Sequence, residues 1–237
     1  MGHQPSLIEC QDFFEPPRVD HLITEDDTPV DNFASEKQQR LLVSALYSSW
    51  REQTFLAAAN VGVFNIDDNP AIVPDVLLSL NVTVPENWWE KKNRAYMVWR
   101  LGKPPDVAIE IVSNREGNEL DKKLKIYERV RVSYYIVYDP NQQISDRVLQ
   151  AYELRGMRYG EISPEWLEQV GLGVTLWQGE FEGRQDSWLR WCQRDGTLLL
   201  TGDERANNAE QRASDAEQRA QKLAEKLREL GINPDSL

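Results

Sequence analysis

The nine residues PDVAIEIVS, at 105–113, decide the fold of this chain. Alternate side chains of a strand point to opposite faces, so Glu110 shares one face with Ala108 and Val112, and the aliphatic residues between them occupy the other. Apolar residues on both faces predict a central strand that is buried on both sides. An ionised carboxylate there must be hydrogen-bonded, paired or bound to a metal, because its burial otherwise costs several kcal/mol.

A second acid, Asp75, lies in the apolar segment AIVPDVLLSL at 71–80. We predict that this segment forms a hairpin with the strand FLAAANVGVF at 55–64, joined by a turn at 67–70. Neighbouring strands lie about 4.8 Å apart, so Asp75 and Glu110 at matching height can share one divalent cation.

Asp106 shares a face with Glu110, but four residues of strand separate the two by about 13 Å. Ligands lie about 2.0 to 2.6 Å from Mg²⁺ or Ca²⁺, so these two acids cannot share one ion. We therefore interpret Asp75 with Glu110 as the metal pair. Asp106 is interpreted as a residue that starts the strand or supports the site without touching the metal.

The segment 118–131 is predicted to form a helix after the central strand. At about 100° per residue, Lys123 falls inside the apolar stripe of this helix, whereas Lys122 points to the opposite side. A core-facing ammonium group needs acceptors, and the helix packs over the strand that carries Glu110. Lys123 is therefore a candidate catalytic residue, and a structural lysine that reaches past the core to solvent is the open alternative.

The segments on either side predict an α/β fold with a mixed central sheet flanked by helices. YYIVY at 134–138 reads as a second buried strand, and the helix before it indicates a crossover with parallel pairing. A first helix is predicted over 35–51 with Ser35 as its N-cap, and an outer strand over 147–153.

The segment 81–103 is predicted to be a loop or lid rich in aromatic and basic residues: Trp88, Trp89, Lys91, Lys92, Arg94 and Trp99. The tryptophans either pack the loop onto the body or form a substrate-facing surface with stacking and phosphate contacts. Both alternatives stay open at this point. In residues 154–200, only short strands and turns can be assigned.

The composition divides the chain into an irregular lead-in at 1–34, an α/β domain at 35–200 and a helical tail at 203–231. In the tail, eight Ala and Leu residues from Ala206 to Leu230 alternate at spacings of 3 and 4, which is a heptad pattern. Five of the eight are alanines, so the seam buries little area. The tail is a self-associating coiled coil that makes a homo-oligomer, a single solvated helix, or a helix docked on the body.

Composition also excludes several classes of function. The chain has only two histidines and two cysteines, which leaves little material for imidazole zinc sites or for Ser–His and Cys–His nucleophiles. The few cysteines, the lack of a signal peptide and the lack of an apolar run near about 18 residues predict a cytoplasmic protein without a membrane partner. A net charge of -12 disfavours tight non-specific DNA binding, but an acidic metal site itself contributes to that charge.

Two acids on neighbouring strands and a core-facing lysine are the elements of metal-assisted phosphodiester hydrolysis. The acids hold Mg²⁺ or Mn²⁺, which lowers the pKa of a water and neutralises charge on the phosphate oxygens. The lysine orients that water or stabilises the transition state.

The same segments resemble the PD-(D/E)XK nuclease superfamily and, more closely, its bacterial family described as putative restriction endonucleases, which is abundant in cyanobacteria. The resemblance lies in the stretches VPDV, PPDVAIEIVS, LDKKLKIYER and YYIVYDP, and it covers about residues 20–195. It implies a restriction-endonuclease-like fold. The heptad tail is similar to an extension found in long members of the family.

The resemblance implies roles for individual residues. Asp75 and Glu110 match the acids of the first and second motifs, and the backbone carbonyl of Ile111 matches a further metal contact. The usual lysine of the superfamily would stand at Val112, so this chain departs from the pattern there. In the resembling family the lysine lies on the following helix, where Lys123 matches.

On the first helix, Glu36 resembles an acid that some members direct at the site. The sequence thus predicts a Mg²⁺- or Mn²⁺-dependent endonuclease whose substrate is DNA. Two alternatives stay open. One is a catalytically inactive interaction or regulatory module, which the acidic charge, the displaced lysine and the heptad tail favour. The other is a phosphodiesterase that acts on RNA or small nucleotides.

Overall fold

The central strand and its neighbours form one six-stranded sheet. The computed structural model of the chain describes residues 32–66, 70–113, 119–230 and 233–234. Its elements in chain order are α1 (Phe33–Ser49), β1 (Phe55–Ala59), β2 (Val63–Phe64), β3 (Val76–Leu80), a 3₁₀ turn (Lys91–Asn93), β4 (Tyr96–Met97), α2 (Val98–Leu101), β5 (Val107–Ile111), a π-helical turn (Glu119–Lys123), α3 (Leu124–Val130), β6 (Tyr134–Tyr138), β7 (Leu149–Arg155), β8 (Arg158–Ile162), β9 (Gly173–Phe181), β10 (Arg184–Cys192) and α4 (Gly202–Glu229).

Four parts of the sequence prediction lie outside the described residues. These are the lead-in as far as residue 31, the turn residues 67–69, the first residue of the helix predicted over 118–131, and the last residue of the tail, 231. Among the residues described, no helix combines the length and the apolar character that a membrane crossing requires.

The sheet has the order β1-β3-β5-β6-β7-β8. β5 and β6 pair in parallel, and the other pairs of this sheet are antiparallel. The predicted mixed sheet, the antiparallel pairing of the two hairpin segments and the parallel crossover are therefore confirmed. The crossover passes through the π-helical turn and α3, because parallel strands need a long connection, which is usually helical.

β5 is the central element because it is buried on both faces along its whole length. Val107, Ile109 and Ile111 pack into a cluster with α1 and with the hairpin of β9 and β10. Ala108 and Val112 pack on the other side, beneath α3. The alternation predicted from the sequence thus separates two apolar layers, and Glu110 belongs to the layer under α3.

The N-terminal boundaries differ from the prediction. α1 begins two residues earlier than 35 because Asn32, not Ser35, caps it: the Asn32 side chain accepts hydrogen bonds from the amides of Ala34 and Ser35, both at 2.9 Å. The predicted strand 55–64 is divided into β1 and β2 at Asn60, whose φ of 54° lies in the left-handed region that asparagine tolerates.

The C-terminal part of the domain departs further from the prediction. Where only short strands and turns were expected, β9 and β10 form a hairpin of two nine-residue strands. The predicted outer strand is β7, and it is not the sheet edge because β8 pairs along it. Arg190 concealed the apolar character of β10, since this fully buried guanidinium interrupts an otherwise hydrophobic run.

The tail is one continuous helix, as predicted. α4 begins with a capping box at Thr201 and Glu204 and contains no buried residue, so the docked alternative is not observed. Of its three heptad leucines, Leu223 and Leu230 are exposed, at 64% and 75%, and Leu227 is partly exposed. A solvated helix and a self-associating coiled coil both stay open.

The base of α4 is attached to the domain through Arg190. Its guanidinium donates to both carboxylate oxygens of Glu204, at 2.8 and 2.7 Å, and to the carbonyl of Leu199 at 2.7 Å. Burial would raise the pKa of Glu204, but hydrogen bonds from Arg190 and from Thr201 outweigh it, so this pKa lies below its ordinary value.

Glu204→Gln is therefore expected to lower the free energy of unfolding by about 2 kcal/mol near pH 7, because it leaves a buried guanidinium without its counter-charge. A carboxyl with a lowered folded pKa stabilises above its unfolded pKa, and the effect is lost as the pH falls through the folded value. The difference in the free energy of unfolding between wild type and Glu204→Gln should thus shrink below about pH 4.5, as measured by urea unfolding.

The exposed neighbour Asp203 supplies the control, since Asp203→Asn should change the free energy of unfolding far less. Equal losses in the two variants would contradict this role for Arg190.

Candidate active site

The structure brings Asp75 to the C-terminal end of β5. Continuing the register of β3 with β5 by one residue sets Asp75 opposite Glu110. Asp75 Oδ2 accepts a hydrogen bond from the backbone amide of Ile111 at 2.6 Å, and Oδ1 accepts one from Gln39 Nε2 at 3.1 Å. The carboxylate therefore lies beside the peptide that joins Glu110 to Ile111.

Glu110 is buried, with 1% of its surface exposed, and both of its carboxyl oxygens are satisfied. The hydroxyl of Tyr127 donates to Oε1 at 2.6 Å, and the ammonium of Lys123 donates to Oε2 at 2.9 Å. Both donors come from the crossover that follows β5, so the chain places the partners of this acid in the next element of the sequence.

Lys123 stands at the end of the π-helical turn, a geometry that is frequent at functional sites. Its ammonium also donates to Glu119 Oε1 at 3.2 Å. Glu119 is buried, and its other oxygen, Oε2, has no hydrogen-bond partner in the described part of the chain. Tyr135 on β6 donates to the backbone carbonyl of Glu119 at 3.0 Å and fixes the turn above the sheet.

Burial sets the protonation behaviour of these groups. It raises the pKa of Glu110 to about 8; the charge of Asp75 adds to the rise, while Lys123 and Tyr127 oppose it. Burial alone would lower the pKa of Lys123, but Glu110 and Glu119 raise it above its ordinary value. Lys123 therefore keeps its proton at neutral pH and has no free lone pair with which to act as a base.

The surroundings of Tyr127 also fix the protonation state of its hydroxyl. Burial first, and then the nearby Glu110 carboxyl, raise its pKa well above the ordinary value. Its hydroxyl consequently keeps its proton and donates. Its ring lies 4.8 Å from that of Tyr135, which holds the donor in place between α3 and β6.

Carboxylate oxygens gather at this end of β5. Glu110 and Glu119 share the ammonium group of Lys123, Asp75 stands opposite Glu110 just before β3, and oxygen ligands are those that Mg²⁺ and Mn²⁺ prefer. Within residues 32–66, 70–113, 119–230 and 233–234, no group of three or more His, Cys, Asp or Glu residues is arranged to hold a metal. A protein contribution of one or two carboxylates with waters is nevertheless the usual mode for Mg²⁺.

Two other acids named from the sequence lie elsewhere. Asp106 is at the opposite end of β5, where its carboxylate accepts from the amide of Leu80 at 2.7 Å and from Lys103 at 2.5 Å. It joins the end of β3 to the start of β5, in agreement with its interpretation as a strand-start residue. Glu36 is exposed on α1 and pairs with Arg40 at 2.5 Å.

Sequence reasoning missed three residues of this site. Gln39, not Glu36, is the α1 side chain that reaches Asp75, and it was detectable as a glutamine next to the apolar positions of the helix. Tyr127 falls by its spacing within the apolar stripe of the predicted helix, although a buried hydroxyl requires a partner. Glu119 carried no sequence signal, because its burial depends on the π-helical turn.

A family model described as Uma2, putative restriction endonuclease, matches residues 23–173 of the chain. The chain belongs to this family. The resemblance seen in the sequence is thereby confirmed at the level of the family. No curated protein matches the chain.

Among solved structures, the Uma2 chain is similar to a putative nuclease of the family DUF820 from Anabaena variabilis. The two are 14% identical, and the match covers 59% of this chain and 73% of the other, with a TM-score of 0.36.

The hydrogen bond from Tyr127 gives a test of the site's assembly. Tyr127→Phe leaves one oxygen of a fully buried carboxyl group unpaired, which should cost about 1–3 kcal/mol in the free energy of unfolding. Tyr159→Phe is the matched control, because that hydroxyl donates to a backbone carbonyl, that of Val132, at 2.8 Å, and its loss should cost about 1 kcal/mol. Chemical denaturation of both variants measures the difference, and a Tyr127 variant as stable as wild type would refute the contact.

Proposed function

We propose that this Uma2 chain is a Mg²⁺- or Mn²⁺-dependent endonuclease that hydrolyses phosphodiester bonds in DNA. The observation that carries the proposal is the convergence of Asp75, Glu110 and Lys123, two strand acids and one helix cation, at a single place on the sheet. Membership of a family described as putative restriction endonucleases supports nuclease chemistry in general and DNA as the substrate in particular.

The carboxylates of Asp75 and Glu110, with the backbone carbonyl of Ile111, are the groups proposed to hold the cation. When bound, such a cation polarises a phosphate oxygen and lowers the pKa of a water to the range where hydroxide forms near neutral pH. Positive charge beside Glu110 also favours its ionised form, which offsets the effect of burial on its pKa.

The side chains around the two acids have distinct tasks. Lys123 keeps its proton and offers an ammonium group to the negative charge that develops on the phosphate. Gln39 holds Asp75, and Tyr127 holds Glu110, so both carboxylates are oriented before substrate arrives. Glu119 shares Lys123 with Glu110, and its unpaired Oε2 is an acceptor available to a water or to the cation.

Cleavage should depend on Asp75 and Lys123 and not on the neighbouring lysine. Asp75→Asn and Lys123→Ala are each expected to lower the rate of plasmid nicking in Mg²⁺ or Mn²⁺ by at least about 10²-fold, because each removes a charge that acts on the transition state. Lys122 is exposed, so Lys122→Ala should retain the wild-type rate. Equal rates for the two lysine variants would remove Lys123 from the mechanism.

Metal binding can be measured without turnover. Mg²⁺ or Mn²⁺ should raise the melting temperature of the wild-type chain, since a ligand that binds the folded state stabilises it by mass action. The shift should vanish in Asp75→Asn and persist in Asp106→Asn, whose carboxylate lies at the other end of β5. A chain that shows neither a metal-dependent shift nor cleavage of any nucleic acid would be the inactive module.

The substrate class can be measured with a panel of phosphodiester substrates. Supercoiled plasmid, circular single-stranded DNA, RNA and a small phosphodiester are offered to wild type and to Asp75→Asn under the same conditions. DNA should be cut by wild type alone. Cleavage of RNA or of the small diester with DNA left intact would keep the hydrolytic site and overturn its assignment to DNA.

A further inference from the structure

A pocket of about 440 Å³ lies between the segment 84–95 and the strands β1 and β3. Its floor is apolar and includes Ala58 and Leu77, and its wall includes Trp88 and Trp89. The volume lies within the range of small-molecule sites, about 300–1,000 Å³.

This pocket adjoins the candidate active site on the same face of the sheet. Leu77 in its floor pairs with Ala108, which precedes Glu110 by two residues and belongs to the same apolar layer. Leu77 also stands two residues after Asp75, about 7 Å along the strand. The floor of the pocket is therefore close enough to the acids for a polymer bound there to reach it with an adjoining nucleotide.

The wall of the pocket presents aromatic surface to solvent. Trp89 is 79% exposed and Trp88 is 55% exposed, an unusual position for large apolar side chains in the absence of a partner. The two rings are nearly perpendicular, at 83° with centroids 6.4 Å apart, so they offer differently oriented faces to a planar ligand.

The loop that carries these rings is held in shape. Arg94 donates to the backbone carbonyl of Trp89 at 2.8 Å, and Asn93 donates to that of Asn87 at 2.8 Å. These bonds tie the far side of the loop to the backbone on either side of Trp88. The aromatic wall is therefore present before a ligand arrives, which lowers the entropy cost of binding.

Charge around the pocket is opposite in sign to the charge of the whole chain. Residues 85–103 include five basic and two acidic side chains, in a protein of net charge -12. Three of the basic residues follow the two tryptophans closely in the sequence: Lys91, Lys92 and Arg94. An aromatic surface bordered by cations is the arrangement with which proteins bind unstacked bases and their phosphates.

We propose that this pocket binds an unstacked nucleobase of the strand whose phosphate occupies the acidic site. The inference rests on the proposed function for the position of that phosphate, and it adds the substrate class: nucleic acid with an unpaired or extruded base close to the cleavage position. One of the two perpendicular rings of Trp88 and Trp89 stacks on the base, the other contacts its edge, and the basic residues contact the flanking phosphates.

Binding is measured by fluorescence anisotropy with the full chain in EDTA, so that no cleavage occurs. The probes are a labelled single strand, its perfect duplex and the same duplex with one bulged base. Wild type should bind the single strand and the bulged duplex more tightly than the perfect duplex. Replacing both rings, Trp88→Ala with Trp89→Ala, should weaken those two affinities roughly 5- to 100-fold and leave the perfect duplex unchanged.

Three matched variants separate stacking from charge and from general damage. Trp88→Phe with Trp89→Phe keeps two aromatic faces and should retain most of the affinity. Lys91→Ala with Lys92→Ala should weaken all three probes alike and reduce the salt dependence of binding. Met157→Ala changes an exposed apolar residue of the turn between β7 and β8 and should have no effect.

The proposal is overturned if the double alanine variant binds every probe as wild type does, or if it loses all three probes equally. It is also overturned if the tryptophans instead mediate the pairing of two chains. In that case sedimentation would show a dimer for wild type and a monomer for the double alanine variant, and the oligonucleotide affinity would not change. Failure of the proposed nuclease function is a separate result, because a chain that binds the bulged duplex yet never cuts retains the pocket and loses only the catalysis.

Discussion

The burial of Glu110 is the constraint on which the rest of the site depends. A carboxyl group in the middle of a strand that is covered on both faces has to be paired or protonated, and here its pKa is raised to about 8 even with partners in place. Lys123 and Tyr127 each take one of its oxygens, and both belong to the connection that must cross over β5 to reach β6. The crossover that builds the parallel sheet thus also supplies the polar partners of its buried acid.

Asp75 belongs to the segment just before β3, which pairs with β5 on the side away from β6. Its carboxylate meets the amide of Ile111 and the side chain of Gln39, so the start of β3, the end of β5 and the helix α1 meet at one point. Local negative charge there exceeds positive charge, which is the electrostatic condition for holding a divalent cation. The same strands continue into the floor of the aromatic pocket, where the charge is reversed and the surface is apolar. Catalysis and recognition of the base would then be neighbouring functions of one sheet face.

The C-terminal part of the chain stabilises the domain. The hairpin of β9 and β10 covers the apolar layer opposite to α3, and Arg190 in that hairpin fixes the first turn of α4 through Glu204. Beyond that turn the helix is solvated along its length. Its alanine-rich heptad face offers little area for association, so the order of any oligomer depends mainly on the three leucines near its end.

The sequence by itself determined the central strand, its two apolar faces, the parallel crossover, the heptad helix and the singular position of Glu110, because each is a matter of local periodicity. It also predicted Lys123 as a core-facing cation, although the turn that carries it is π-helical. Only the tertiary structure decided that Gln39 and not Glu36 approaches Asp75, that Glu119 is buried, and that residues 154–200 form long strands. Those features depend on which distant side chains meet across the core. Contacts between residues far apart in the chain leave no periodic trace in either partner.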